Sequence, residues 1–375
     1  MIDRVRSIAQ GPLARDAERI DREGHYPRDI LESLGRAGAL GAHLDRNGRD
    51  FIGAIRAMTE AGRLCGSTAF MMWCHDVCGL YMEQSGNPAL TGERLVAHAC
   101  GATMGGTGMS NPMKTFAGIE TMLLRATRVA GGYRVSGTLP WVSHIAKNHY
   151  LGAVATVVEG DDVEGEVEGA ASRDLMFLLE CNAPGVELKH CPTFSAMEGT
   201  STWSVRLTDC FIDDDHVIAD PAQPLIGRIR AAFIVLQTGM GLGVAQGSID
   251  SIWQVEDQLG HVNRYLDDRP DALQAELDQL TSRIETLALT PYQAGNDYLI
   301  DVLDARAHAS ELALRAAQSA LLHHGARGYL MSAAPQRRVR ESHFVAIVTP
   351  AVKHLRKEMA RLLTPAMPVA HYDAA

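Results

Sequence analysis

The chain has 375 residues, enough for two or three domains around a sizeable core. Its 46% apolar and 21% charged residues are ordinary for a globular protein and exclude a mostly disordered chain. A net charge of −10 gives no overall drive toward nucleic acid or an anionic membrane, so those partners are not expected.

Residues 1–99 read as helices. Ile2, Val5, Ile8, Ala17 and Ile20 keep a helical period. Pro27 opens a second helix with Ile30, Leu31 and Leu34. Phe51, Ile52, Ile55, Met58 and Leu64 predict a third. Ser67 is the expected N-cap of a fourth, through Phe70, Met71, Met72, Trp73, Leu80 and Tyr81. A helix apolar nearly all round is a buried one.

Residues 100–220 change character. A hairpin is predicted from 120–127 through Gly131-Gly132 into 133–137. Further strands are predicted at 149–158, 174–181, 185–190 and 202–208, with the acidic run 159–168 as a solvated loop. Strands at this spacing without intervening helices predict a small antiparallel barrel or sandwich. From 221 to 375, helical periodicity returns over 225–257, 270–290, 300–326 and 336–363, which predicts a bundle.

No window approaches the roughly 20 continuous apolar residues of a membrane span. Met1-Ile2-Asp3-Arg4-Val5-Arg6 lacks an apolar signal core, and a cytoplasmic protein is expected. The cysteines are Cys65, Cys74, Cys78, Cys100, Cys181, Cys191 and Cys210, an odd number without a CxxC pair. Cys74 and Cys78 flank His75, but no second ligand cluster follows, so reduced core thiols and no metal site are expected.

Three segments could carry chemistry. Gly101-Ala102-Thr103-Met104-Gly105-Gly106-Thr107-Gly108-Met109-Ser110-Asn111-Pro112 offers close backbone approach and hydroxyls, and reads equally as a plain loop. It is neither a P-loop nor a dinucleotide fingerprint, because strands rather than a helix are predicted after it. Pro140-Trp141-Val142-Ser143-His144 sets a flat indole beside a hydroxyl and an imidazole, suited to a heteroaromatic ligand or to a seam between domains. His323-His324-Gly325-Ala326-Arg327-Gly328-Tyr329 ends a long helix, where glycine usually caps.

In this order the segments resemble the acyl-CoA dehydrogenase superfamily. The likeness runs through Ala17–Pro27, Leu34–Gly41, the 101–112 loop, Gly132-Tyr133-Arg134-Val135-Ser136-Gly137 with Trp141-Val142-Ser143, Leu207–Ile212, and Gly325–Tyr329 with Pro335 and Arg340-Glu341. It implies a helical domain (1–99), an antiparallel β-barrel (100–220) and a four-helix bundle (221–375), with FAD between them in a homotetramer. It assigns Thr103, Met104 and Ser110 to the flavin or substrate loop. It sets Trp141 beside the isoalloxazine, Ser143 as a donor to its polar edge, and Gly325 near the adenine or pyrophosphate across a subunit boundary.

The resemblance breaks at the catalytic carboxylate, which removes the proton α to a thioester. The expected Glu falls at Thr349, and the alternative position on the first bundle helix falls at Phe233. Glu256 lies later along that helix. Leu322 replaces a usual Gln, and the Arg-x-x-Phe-Gly segment is missing, so FMN or reduced flavin is admitted beside FAD. The same superfamily hosts flavin monooxygenases fed by a separate reductase, whose chemistry needs no such base. His75, His144 and His343 are then the candidate catalytic residues. The expected activity is reduced-flavin-dependent oxygenation of a small organic substrate. The alternatives are acyl-CoA desaturation with a relocated base and a non-catalytic flavin-binding homologue.

Overall fold

The computed structural model describes residues 1–158 and 173–364, so the acidic run 159–168 lies outside the described residues. The N-terminal part holds α1 (Ile2–Ile8), α2 (Ala14–Glu23), α3 (Arg28–Arg36), α4 (Phe51–Gly62), α5 (Gly66–Gln84), α6 (Pro88–Thr91) and α7 (Glu93–Ala99). A π-helical turn, Ala9–Leu13, joins α1 to α2 around Pro12, whose missing N–H and ring do not suit the tighter ladder. The cap of α5 is Cys65, not Ser67, which lies in the first turn. Every residue of α5 from Gly66 to Met82 is buried, as its all-round apolar character demands.

The middle part holds β1 (Gly105–Thr107), α8 (Ser110–Phe116), β2 (Leu124–Val129), β3 (Gly132–Val142), β4 (Tyr150–Val157), β5 (Arg173–Glu180), β6 (Val186–His190), β7 (Trp203–Asp213) and β8 (Val217–Ala219). The order β6-β7-β3-β2-β4-β5-β8, with β1 added beside β4, is a mixed sheet. β1 and β2 both pair with β4 in parallel, and the other pairs are antiparallel. The expected closed antiparallel barrel is therefore corrected: β6 and β8 are the unjoined ends. Strand spacing cannot reveal that β4 returns beside β2 rather than continuing the meander. A second correction is the short helix α8 inside the stretch read as a loop leading to strands.

The C-terminal part holds α9 (Gln223–Asn263), α10 (Pro270–Ala288), α11 (Asn296–His324), α12 (Ala334–Ile347) and α13 (Val352–Leu363). The single helix expected over 336–363 is broken, with Val348 and Ala351 extended on either side of Thr349-Pro350. Proline disfavours the helical conformation for its predecessor. α9 contains a window long and apolar enough to cross a membrane, but that window is packed inside the molecule. Gly62 on α4 faces Gly243 on α9 so closely that a Cβ on Gly243 would lie 2.7 Å from the Gly62 Cα. One apolar core runs from α1 through α5 into the bundle, and a smaller one lies within the sheet.

Candidate active site

A cavity of about 440 Å³ opens where α5, the end of β3, α9 and α12 meet. α5 contributes Phe70, Trp73 and Cys74, spaced i, i+3, i+4 on one face. α12 contributes Arg340, His343, Phe344 and Ile347 by the same rule, and Val348 and Thr349 follow where the helix stops. Phe233 comes from α9; Thr107, Met109, Ser110 and Lys114 come from the stretch around α8. The segment before β7 adds Phe194, Ser195, Ala196, Met197, Thr200 and Thr202, beside Trp141 and Ser143.

The inner wall is aromatic. Phe344 meets Phe70 edge-on at 4.7 Å, and Phe233 meets Trp73 edge-on at 5.0 Å. The indole Nε1 of Trp73 donates to the Phe233 carbonyl at 3.2 Å, so no polar atom of that indole is left over. Trp141 is different: 62% exposed, it presents a free flat face at the mouth.

Hydroxyls also line the cavity. Ser143 Oγ lies 2.6 Å from Thr202 Oγ1, which lies 2.8 Å from Thr200 Oγ1. Thr200 Oγ1 donates to the Met197 carbonyl at 2.7 Å. Three residues around this line, His144, Met197 and Ser201, have left-handed backbones with φ of 61°, 69° and 50°. Such conformations cost energy in non-glycine residues and persist where surroundings impose them. Here the His144 N–H donates to the Thr200 carbonyl at 2.7 Å and the Ser201 hydroxyl donates to the Ile145 carbonyl at 2.7 Å.

The charged groups at the wall are committed elsewhere. Arg340 donates to Asp21 at 2.8 Å, and Lys114 donates to Glu120 at 2.8 Å. Among the described residues lining the cavity there is no carboxylate. Glu341, next to Arg340, is turned into the core and accepts from the Gly66 N–H at 3.0 Å; burial raises its pKa. Glu256 pairs with Arg269 outside the cavity.

The structure brings Ser110, Trp141, Ser143 and His343 to the cavity, with Thr349 and Phe233 beside them. His343 Nδ1 donates to the Val339 carbonyl at 2.7 Å, which leaves Nε2 outside that bond. Thr103, Met104, His75, His144 and Gly325 do not line it. Met104 is buried, and Thr103 hydrogen-bonds the Tyr150 hydroxyl at 2.9 Å. Gly325 terminates α11 with a left-handed φ of 59°.

His75 and His98 form a sealed pair, rings stacked at 3.6 Å and 2°. Each Nε2 donates to the other's carbonyl at 2.9 Å. The second nitrogen of each ring accepts, from the Gly105 N–H and the Tyr150 hydroxyl. Both are thus neutral, and burial drives both pKa values down, to about 4 for His75. His144 meets the His75 ring edge-on at 5.9 Å; its Nδ1 is 3.2 Å from the Tyr26 hydroxyl, while its Nε2 has no partner. Burial lowers its pKa as well. The line Thr200–Thr202 was missed from sequence; its only signal was the Thr-Ser-Thr run just before a strand.

Comparison with known proteins follows the same outline. Residues 1–102 match the acyl-CoA dehydrogenase N-terminal domain. The chain is 21% identical to a probable acyl-CoA dehydrogenase of Bacillus subtilis, YngJ, over 92% of this chain and 91% of that protein. Butyryl-CoA dehydrogenase from Megasphaera elsdenii superposes with a TM-score of 0.82 over 97% of both chains at 15% identity. The dibenzothiophene monooxygenase TdsC from Paenibacillus sp. A11-2, solved with indole bound, superposes with a TM-score of 0.80 over 98% of this chain and 97% of that one, again at 15% identity. TdsC is also known with FMN bound. The matched N-terminal domain and the near full-length relatives make this chain similar to acyl-CoA dehydrogenases, and it shares its fold with them and with TdsC.

Proposed function

We propose that this protein is a flavin-dependent monooxygenase that uses reduced flavin and dioxygen to oxygenate a small aromatic substrate. The carrying observation is the cavity itself, walled by Phe70, Trp73, Phe233 and Phe344, edged by hydroxyls, and free of carboxylate among its described lining residues. A thioester desaturase needs a base at the α-carbon, and no carboxylate in this lining supplies one. A flavin suits the lining: the exposed face of Trp141 offers a platform for a flat ring, and Ser143 and Thr202 offer hydrogen bonds at its edge. The volume falls in the range of small-ligand sites.

In the net reaction one atom of dioxygen enters the substrate and the other leaves as water, with two electrons and two protons supplied by the reduced cofactor. The chain's own residues bind, orient and keep the site dry. Phe70, Phe233 and Phe344 pack the substrate ring and exclude water. His343 Nε2 is placed to hold a proton at the cavity wall. In this reading residues 1–99, 100–220 and 221–375 are three working parts that meet at the cavity. A separate reductase supplies reduced FAD or FMN. The exposed Leu322, Tyr329, Leu330 and Met331 around Gly325 support a homotetramer in which that turn faces a neighbouring copy. The seven unpaired cysteines support a reducing, cytoplasmic location.

A second reading, acyl-CoA dehydrogenation, is favoured by the curated sequence relatives. One experiment separates them. The protein is supplied with enzymatically reduced FMN or FAD, labelled dioxygen and indole as probe. Incorporation of one labelled oxygen atom supports oxygenation. No incorporation, together with anaerobic bleaching of added FAD by an acyl-CoA, supports dehydrogenation.

A further inference from the structure

The hydroxyl line across the cavity has only one internally consistent order of protons. A carbonyl brings no hydrogen, so the contact between Thr200 Oγ1 and the Met197 oxygen uses the Thr200 proton. Thr200 therefore accepts from Thr202, and Thr202, its own proton spent, accepts from Ser143. The Ser143 proton is directed along the wall at Thr202, and what its Oγ has left to turn toward a ligand is a lone pair. Reversing the order forfeits the Thr200–Met197 bond, and the left-handed backbones at Met197, His144 and Ser201 hold the two segments in register.

We propose that Thr202 and Thr200 are positioning residues that fix Ser143 as a hydrogen-bond acceptor, so that the cavity discriminates in favour of a ring edge that carries hydrogen. This inference rests on the flavin reading of the cavity and reverses the donor role expected for Ser143 from sequence. Reduction turns bare ring nitrogens of an isoalloxazine into N–H donors. An acceptor beside Trp141 therefore favours the reduced form, and a donor there would favour the oxidised one. Ser143 makes no other side-chain hydrogen bond among the described residues that would supply a second proton.

The test is anaerobic titration of the full chain with oxidised and with reduced FMN and FAD. Wild type is expected to bind the reduced form more tightly. Thr202→Val removes the acceptor of the Ser143 proton and frees that hydroxyl to donate. The affinity ratio should then narrow by roughly three- to tenfold, the worth of one hydrogen bond, mainly through tighter binding of oxidised flavin. Thr202→Ser keeps the order and should keep the wild-type ratio, and Ser143→Ala should abolish the discrimination without the valine. A ratio unchanged in both Thr202→Val and Ser143→Ala, with flavin still bound, overturns the inference alone. Failure of wild type to bind either form overturns the flavin reading and the inference with it.

Discussion

The Oγ of Ser110 lies 2.9 Å from the Oγ1 of Thr349, joining the first turn of α8 to the segment that follows α12 at the cavity wall. Thr349 is held from behind as well, since Gln237 Nε2 donates to its carbonyl at 3.1 Å. The position where a catalytic Glu was expected is thus a neutral hydroxyl fixed by neutral partners.

If Thr349 closes the cavity and does no proton transfer, Thr349→Val should keep oxygenation within a few-fold of wild type. Loss of one partly exposed hydroxyl pair should cost about 1 kcal/mol or less in stability. Steady-state turnover with indole and a thermal melt measure the two effects. A hundredfold fall in kcat with an unchanged melt would show that the hydroxyl takes part in the chemistry.

Arg306 explains why the Thr349 segment is held. Fully buried, it donates through Nε to Gln237 Oε1 at 2.7 Å and through Nη2 to the Val345 carbonyl at 2.8 Å. No salt bridge to it occurs among the described residues, and burial pulls its pKa down to about 9. Arg306 also donates to Ser310 Oγ, so Arg306→Met removes the donor from three buried acceptors and should cost about 1–3 kcal/mol. Arg306→Lys should recover little, because an ammonium cannot reproduce the planar fork. Hydrogen exchange at residues 345–349 should speed up in both variants, and protection as strong as wild type would refute the role.

The imidazole cluster makes stability pH-dependent. Burial lowers the pKa of His75 to about 4 and also lowers those of His98 and His144; the separate, fully buried His43, beside Phe51, is lowered to about 3. Below pH 6.5 the unfolded chain takes up protons that the folded chain refuses. Stability is therefore full above pH 6.5 and falls as pH drops toward 4, by about 1.4 kcal/mol per pH unit for each such histidine. Urea midpoints at pH 7 and pH 5 should differ accordingly. Equal midpoints would mean that the rings are not held neutral.

Trp141 separates binding from folding. With most of its surface in water, Trp141→Ala should change stability by under about 0.5 kcal/mol. Flavin affinity should fall by roughly tenfold if the indole face is its platform, and Trp141→Phe should restore part of it. Fluorescence titration and a melt on the same samples give both numbers, and unchanged affinity in Trp141→Ala would remove the platform.

At the crossing of α4 and α9, two effects oppose each other. Gly243→Ala gains about 1 kcal/mol of helix propensity. The added Cβ must also fit 2.7 Å from both the Gly62 Cα and the Thr59 carbonyl. Overpacking between backbones costs about 1–3 kcal/mol, so net destabilisation is expected. A raised melting temperature would show that the helices can part at no cost.

Helical ends and a strand-rich middle were written in the sequence, because apolar period is a local property that α5 and α9 display without reference to anything else. So were Trp141 and Ser143, two residues apart on one strand end and therefore on one face. Sheet connectivity was not, since the return of β4 beside β2 is a choice among pairings that the strands tolerate equally. Nor was the split fate of the histidines. His75 and His343 look alike in sequence, but only packing turns one into a sealed stack with His98 and leaves the other on the cavity wall. The Ser143–Thr202–Thr200 line was equally hidden, for it joins residues 59 positions apart. The direction of its protons is settled by the Met197 carbonyl at its far end, a constraint that exists only when the chain has folded.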